Sequence, residues 1–147
     1  MDKTEASLTL AIDAMGSDQG PKEILEGVAQ AVEASPRGTE FVLFGQEEVL
    51  SKIIEKHPVL ANARVSVSHA PEVVGMDEKP IAGIKGKKNS SMSLALLALK
   101  NGEADALLSC GNTGCLMAGG AIRLRTLDGM ERPALCTIWP GRERYFT

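Results

Sequence analysis

Apolar residues in this chain alternate between short continuous runs and stretches in which they recur every three or four positions. The first run, Leu8–Asp13, ends in an acid and is typical of a buried β-strand. After a glycine-rich loop, Pro21 opens a stretch in which five apolar residues follow helical spacing. They are Ile24, Leu25, Val28, Ala29 and Val32. The pattern predicts a strand, a loop and then a helix.

The same alternation recurs along most of the chain. Residues 41–44 form a second apolar run, and an amphipathic helix that closes near Pro58 follows it. Val65 and Val67 then indicate a third strand, and residues 104–109 a fourth. Each predicted strand is therefore separated from the next by at least one stretch that is not a strand.

Two more helices and a last strand complete the prediction. Residues 69–89 lack sustained periodicity and are predicted to be irregular, after which Ser90 and Ser91 supply helix-start chemistry. A further helix is predicted from about residue 113 to 124 and a fifth strand at residues 134–138. Nearly continuous apolar strands alternating with helices indicate parallel pairing with helices on both faces. We therefore expect an α/β fold of three layers, α/β/α, with a mostly parallel sheet.

Composition adds bounds to this fold. The 147 residues are 44% apolar and 24% charged, which is ordinary for one globular domain. A net charge of −3 gives no overall reason to expect nucleic acid or an anionic membrane as a partner. No apolar run approaches the roughly 20 residues of a membrane helix, and the first residues show no basic segment ahead of a cleavage site. We predict a cytoplasmic protein.

Cysteine and histidine content argues against a metal or disulfide framework. The chain has an odd number of cysteines, Cys110, Cys115 and Cys136, and they lie beside predicted helices and strands and not in a regularly spaced framework. Free buried thiols are therefore expected. His57 and His69 do not form a two-histidine metal motif, and no acidic metal-binding loop is present. The sequence predicts no tightly held metal and no cofactor.

The first candidate loop follows the first strand. In open parallel sheets, ligands collect where the carboxyl ends of strands enter helices. Here Gly16 permits a tight backbone, while Asp13 and Asp18 offer carboxylates. The loop lacks the spacing of a dinucleotide-binding motif. The alternative is a plain turn in which Asp18 helps to cap the helix.

A second candidate is rich in lysine. Lys79, Lys85, Lys87 and Lys88 fall within ten residues that contain no acid, and Ser90 and Ser91 follow at the expected helix start. Lysine side chains and free helix amides together suit phosphate. The spacing of a nucleoside-triphosphate P-loop is absent. A solvated lysine loop remains the alternative.

The third candidate loop lies between the fourth strand and the last predicted helix. Gly111 and Gly114 allow the backbone to approach a ligand, and Asn112 and Thr113 carry short donors suited to a phosphate or a thioester carbonyl. A plain turn capped by Thr113 is the alternative. Gly119 and Gly120, further along this helix, are interpreted as a site of close packing.

Four motifs in order carry a resemblance to a known family. They read AIDAMGSDQGP, VVGMDEKPIAGIKGKKNSSM, SCGNTGCLMAGG and GMERPAL, and together they resemble the phosphate acyltransferase (PlsX) family from about Thr9 to Pro140. The resemblance implies a Rossmann-like fold similar to phosphotransacetylases and isocitrate-dehydrogenase-like enzymes. Ser17, Lys85 and Asn89 depart from the usual family residues.

The family resemblance also implies an activity and partners. Its members convert acyl-[acyl-carrier-protein] and inorganic phosphate to acyl-phosphate and free acyl carrier protein in phospholipid synthesis, and a homodimer is expected. Residues 1–140 correspond to the amino-terminal part of that domain, and residues 141–147 resemble nothing expected there. The chain is therefore interpreted as truncated. No amphipathic anchor supports peripheral membrane association.

Our hypothesis is that bound phosphate attacks the acyl thioester without a protein nucleophile. The predicted catalytic residues are Asp13, Lys85, Lys87, Lys88 and Asn112, and the predicted binding residues are Gly16, Ser90, Ser91, Gly111, Thr113 and Gly114. In this hypothesis Asp13 orients a lysine or the phosphate. Two alternatives remain open: an inactive fragment that binds anions or acyl carrier protein, and the product of a disrupted reading frame.

Overall fold

The computed structural model describes residues 8–140 and 145–146, which contain six strands and five helices. The strands are β1 (Leu8–Asp13), β2 (Thr39–Gly45), β3 (Val65–His69), β4 (Ala106–Ser109), β5 (Trp139–Pro140) and β6 (Tyr145–Phe146). The helices are α1 (Pro21–Ala34), α2 (Glu47–Ile54), α3 (Pro80–Gly86), α4 (Ser91–Asn101) and α5 (Thr113–Arg123). The first four strands lie where the apolar runs predicted them.

Four strands form one parallel sheet in the order β3-β2-β1-β4. The first strand of the chain is therefore central, and its last residue, Asp13, lies between Phe44 of β2 and Ser109 of β4. All four carboxyl ends point to one side of the sheet because every pairing is parallel. The loops that leave β1 and β4 meet there.

Helices cover both faces of the sheet. On one face, α1 and α2 pack on the inward residues of β1 and β2; this core includes Ile12, Leu25, Phe41, Leu43 and Leu50. On the other face, Ala11 of β1 packs with Ala95 and Ala98 of α4. Successive strand residues point to opposite faces, so Ala11 and Ile12 serve different layers. The three-layer α/β/α prediction is confirmed.

A third core joins α3, α4 and α5. Ile84, Leu96 and Cys115 are buried together. A Cβ added to Gly119 would lie 2.5 Å from Cδ1 of Leu96, whereas one added to Gly120 would meet nothing within 4 Å. The interpretation of these glycines as a close-packing site is thus confirmed for Gly119 and wrong for Gly120.

Two predictions of secondary structure were wrong. Residues 80–86, expected to be irregular, form α3; Pro80 occupies its first turn, where a missing N–H leaves no bond unmade. Residues 134–138, expected to be a strand, do not form one and are exposed. Pairing of β5 with β6 begins only at Trp139. Apart from residues 145 and 146, the atypical tail 141–147 lies outside the described residues.

Candidate active site

The carboxyl ends of β1 and β4 are joined by side chains. Ser109 Oγ donates a hydrogen bond of 2.7 Å to Oδ2 of Asp13, and it accepts one of 3.1 Å from the amide of Gly111. Asp13 is 1% exposed, and its Oδ1 is buried without a hydrogen-bond partner among residues 8–140. A buried carboxylate oxygen without a partner is uncommon and often marks a functional site.

Two glycines let the first and third loops touch. A Cβ added to Gly16 would lie 2.3 Å from Oδ2 of Asp13, and one added to Gly111 would lie 3.1 Å from Cα of Gly16. Gly16 therefore borders the Asp13 carboxylate directly, whereas Gly111 is linked to it through Ser109. The alternative in which Asp18 caps α1 is wrong, because Gly20 is the N-cap residue and no side chain caps this helix.

Asn112 caps α5 and also holds the loop that precedes α3. Its Oδ1 accepts a hydrogen bond of 3.0 Å from the amide of Cys115. Its Nδ2 lies 3.2, 2.8 and 2.9 Å from the carbonyl oxygens of Gly75, Met76 and Glu78. Since an amide has only two N–H donors, all of its donating capacity is shared among these carbonyls. The Thr113 cap considered from the sequence is wrong.

The first amides of α5 remain available. Thr113 and Gly114 are the first two residues of the helix, and no hydrogen bond within residues 8–140 satisfies their N–H groups. Thr113 is exposed and Gly114 is partly exposed. A Cβ on Gly114 would lie 2.8 Å from Cγ of Pro80, so glycine permits α3 to sit against this helix end. These two amides can donate hydrogen bonds to a bound anion.

Lys87 is paired with an acid that the sequence did not single out. Its Nζ donates to the carbonyl oxygen of Val73 at 2.7 Å and forms an ion pair with Oε1 of Glu78. The same Oε1 accepts a bond of 2.7 Å from the amide of Gly75. The hydrogen bond from Lys87, followed by that from Gly75, holds the pKa of Glu78 below its usual value of 4.5. The charge of Lys87 is thus largely offset within the chain.

Both predicted serines are buried in the start of α4. Ser90 is the N-cap residue; its Oγ accepts from the amide of Ser93 at 3.3 Å and donates to the carbonyl oxygen of Lys87 at 2.9 Å. The amide of Ser91 donates to the carbonyl oxygen of Glu72 at 3.1 Å. The expected helix start is confirmed. These contacts fix the position of Lys87 relative to α4.

Lys85 and Lys88 lie elsewhere. Both are exposed and line a pocket with Lys100 and Arg123, at the carboxyl ends of α4 and α5. Arg123 is ten residues beyond Thr113, which places it about 15 Å along the helix axis. The structure therefore separates the predicted lysines. Lys87 contacts the loop held by Asn112, whereas Lys85 and Lys88 line the pocket at the carboxyl ends of α4 and α5.

The cysteines differ in exposure. Cys115 is fully buried beneath α3, and burial raises the pKa of its thiol. Cys110 and Cys136 are exposed, so the expectation of three buried thiols is wrong for these two. Cys110 is exposed where β4 turns into the third loop. In residues 8–140 no cluster of three or more His, Cys, Asp or Glu side chains could hold a metal ion.

Two residues of this site were missed from the sequence. Ser109 could have been found as the polar residue that ends an apolar strand predicted to lie in the same sheet as Asp13. Glu78 had a weaker signal: it is an acid next to Lys79 and Pro80, just before the lysine-rich stretch.

Within residues 8–140 and 145–146, no helix is both long and apolar enough to span a bilayer.

Comparison with known proteins places this site in a family context. The sequence model of a family described as "Fatty acid synthesis protein" matches residues 8–147. Proteins named "Phosphate acyltransferase" are 46% identical in Azorhizobium caulinodans, 41% in Pediococcus pentosaceus and 42% in Halorhodospira halophila. These matches cover 92%, 91% and 92% of this chain, respectively. They cover 38%, 37% and 39% of the relatives, so the chain spans less than two fifths of their length.

Proposed function

The chain belongs to the fatty acid synthesis protein family, and from this premise we propose that it carries the phosphate-binding half of a phosphate acyltransferase site. In the proposed reaction an oxygen of inorganic phosphate attacks the carbonyl carbon of acyl-[acyl-carrier-protein]. The new C–O bond forms as the C–S bond breaks, and the thiolate of the carrier leaves and takes up a proton. Acyl-phosphate and free acyl carrier protein are the products.

The observation that carries this proposal is the polar junction at the carboxyl edge of the sheet. Gly16 and Gly111 bring two loops together over Asp13, and the open amides of Thr113 and Gly114 begin the adjacent helix. Unpaired amides and the positive end of a helix favour a bound phosphate. Preorganised donors of this kind also stabilise an oxyanion.

Lys87 is the cation assigned to the phosphate. Glu78 and Val73 hold its Nζ on the loop that Asn112 clamps to the same helix end. Phosphate would compete with Glu78 for this ammonium group, so Glu78 acts as a positioning residue in the proposal. Asp13 would position the third loop through Ser109 and would not act as a base.

A binding-only role is the second candidate, and one observation favours it. β4 is an edge of the sheet and its Leu108 is 54% exposed, which leaves open the flank next to the proposed phosphate site. A half-site of this kind could bind phosphate or acyl carrier protein without turnover. The homodimer, the cytoplasmic location and the roles of individual site residues stay predictions.

The test is trapping of acyl-phosphate. The 147-residue chain is incubated with acyl-[acyl-carrier-protein] and phosphate, and hydroxylamine converts any acyl-phosphate to a hydroxamate. Thiol reagents are less suitable because Cys110 and Cys136 are exposed. Phosphate-dependent hydroxamate is expected, and Lys87→Ala should lower its rate about 10- to 100-fold, the range for one lost hydrogen bond to a charged group.

Lys52→Ala is the matched control, since this exposed lysine lies on α2 in the opposite helix layer. Its rate should equal that of the unaltered chain. Because hydroxylamine also cleaves thioesters directly, the rate measured without phosphate is subtracted. Binding of acyl carrier protein without any phosphate-dependent hydroxamate would support the binding-only role. A phosphate-dependent rate that is unchanged in Lys87→Ala would exclude the proposed mechanism.

A further inference from the structure

The carboxyl ends of α3, α4 and α5 surround a small basic pocket. It has a volume of about 320 Å³ and lies on the far side of these helices from Thr113 and Gly114. Its lining consists of Ile84, Lys85, Lys88, Lys100, Ile122 and Arg123. We propose that this pocket binds the phosphate group of a small molecule, at a site separate from the proposed acyltransferase site.

The four cations of the pocket are uncompensated by acids. In the described part of the chain, no carboxylate lies within ion-pair distance of any of them. Three helix carboxyl ends contribute about half a negative charge each, which leaves a surplus of about two and a half positive charges. That surplus is local, because the whole chain carries a net charge of −3. A doubly charged phosphate group would balance most of it.

The nearest acid along the chain does not neutralise the pocket. Glu103 follows Lys100 by three positions but forms no ion pair with it; its Oε1 instead accepts a hydrogen bond of 3.1 Å from the side chain of Asn101. Besides lacking an ion-pair partner, Arg123 lacks a hydrogen-bond acceptor: its Nε is buried and has no hydrogen-bond partner within residues 8–140. A buried guanidinium nitrogen without an acceptor favours an anion that supplies one.

The apolar part of the lining suggests what the phosphate is attached to. Ile122 is 48% exposed and supplies the apolar surface of the pocket, whereas Ile84, which also lines it, is only 2% exposed. A volume of about 320 Å³ is at the lower end for small-molecule sites and exceeds the need of a bare phosphate ion. The pocket therefore fits a phosphate monoester with a compact apolar group better than inorganic phosphate alone.

This site does not depend on the proposed function. The axial distance of about 15 Å between the two ends of α5 is too long for a single phosphate to contact both. Lys85 and Lys88, which the sequence grouped with Lys87, belong to the pocket by their positions. Either site can be present without the other.

An NMR titration tests the pocket and separates it from the other site. Inorganic phosphate and phenyl phosphate are added in turn to the ¹⁵N-labelled 147-residue chain. Saturable shifts are expected for the amides of Lys100, Ile122 and Arg123, with phenyl phosphate binding more tightly than inorganic phosphate. Equal binding of the two would identify the ligand as phosphate itself and still support an anion site.

Lys100→Gln is the diagnostic variant, and Lys52→Gln is its control. Removing one charge-assisted contact should weaken binding about tenfold in Lys100→Gln, while Lys52→Gln should bind as the unaltered chain does. The unligated amide spectrum of each variant shows whether it is folded. Shifts confined to Thr113 and Gly114, no saturable shift, or equal affinity in Lys100→Gln would overturn the pocket. Shifts at the pocket without any at Thr113 and Gly114 would support it and count against the acyltransferase site.

Discussion

The hydroxyl of Ser109 is a hydrogen-bond donor to the buried carboxylate of Asp13, across two neighbouring parallel strands. Oδ1 of Asp13 has no hydrogen-bond partner within residues 8–140. The bond from Ser109 to Oδ2 is therefore the one hydrogen bond that this carboxylate accepts among those residues. Ser109→Ala should therefore lower the free energy of unfolding by about 1–3 kcal/mol, the cost of leaving a buried polar group unpaired. Urea unfolding followed by circular dichroism measures this.

The double variant that combines Asp13→Asn with Ser109→Ala provides the control for that measurement. In the Ser109→Ala background Asp13→Asn removes the unpaired negative charge, so part of the lost stability should return. An unchanged unfolding midpoint in Ser109→Ala would show that the hydrogen bond contributes nothing to the fold.

Asn112 is expected to depend on its amide donors more than on its capping oxygen. Asn112→Asp keeps an oxygen for the amide of Cys115 but turns a carboxylate toward the carbonyls of Gly75 and Glu78. We expect a loss of about 3 kcal/mol or more in urea unfolding, because two donors are lost and a buried charge is gained.

Asn62→Asp is a matched control for this substitution. The Oδ1 of Asn62 accepts a bond of 3.0 Å from the amide of Arg64, and the carboxylate can keep that bond. Its unfolding free energy should change by less than about 0.5 kcal/mol. Equal losses in the two variants would mean that the donors of Asn112 are unimportant.

Glu78 and Lys87 should make stability depend on acid pH. The pKa of Glu78 in the folded chain is below its usual value of 4.5. Its ionised form therefore adds stability that is complete above that value and is lost as pH falls through the lowered folded pKa. Glu78→Gln should lower the free energy of unfolding at neutral pH, and its difference from the unaltered chain should shrink below pH 4.5.

Urea unfolding at several pH values gives this difference directly. Glu40→Gln serves as the reference, since Glu40 is an exposed residue of β2 outside the ion pair. A difference for Glu78→Gln that stays constant with pH would contradict the prediction.

Two adjacent glycines of α5 should respond in opposite ways to alanine. Gly120→Ala enters open space and should gain up to about 1 kcal/mol of helix propensity. Gly119→Ala brings the same gain but forces the buried side chains of Leu96 and Ile84 apart. We expect it to be less stable than Gly120→Ala by about 1–3 kcal/mol. Thermal unfolding of the two variants compares them directly, and equal stabilities would show that α4 and α5 are not in close contact.

The edge of the sheet where the site lies was predictable because it depends on local signals. An apolar run that ends in Asp13, and another that ends before Gly111, already identify two strands of a parallel sheet. Parallel pairing then brings their carboxyl ends to one side. No knowledge of distant contacts is needed for that step.

The partners of individual polar side chains were not predictable in the same way. Asn112 looked like a ligand donor, but its hydrogen-bond acceptors are 34 to 37 positions earlier in the chain. The sequence predicted one charge cluster formed by Lys85, Lys87 and Lys88. In the structure, α3 and the residues after it place these lysines on different surfaces. Pairing of Lys87 with Glu78 depends on how the loop before α3 folds back, which periodicity does not encode.

The central place of β1 has a consequence for the order in which the molecule assembles. Leu8 pairs with Thr39, so β1, α1 and β2 can associate while little chain separates them. Ser109, in contrast, reaches Asp13 across 96 positions. Contacts of such long range form slowly because a large loop must close first. We therefore expect the half built on β1, β2 and β3 to condense early, and the polar junction to be created only when β4 docks, as the closing event of folding.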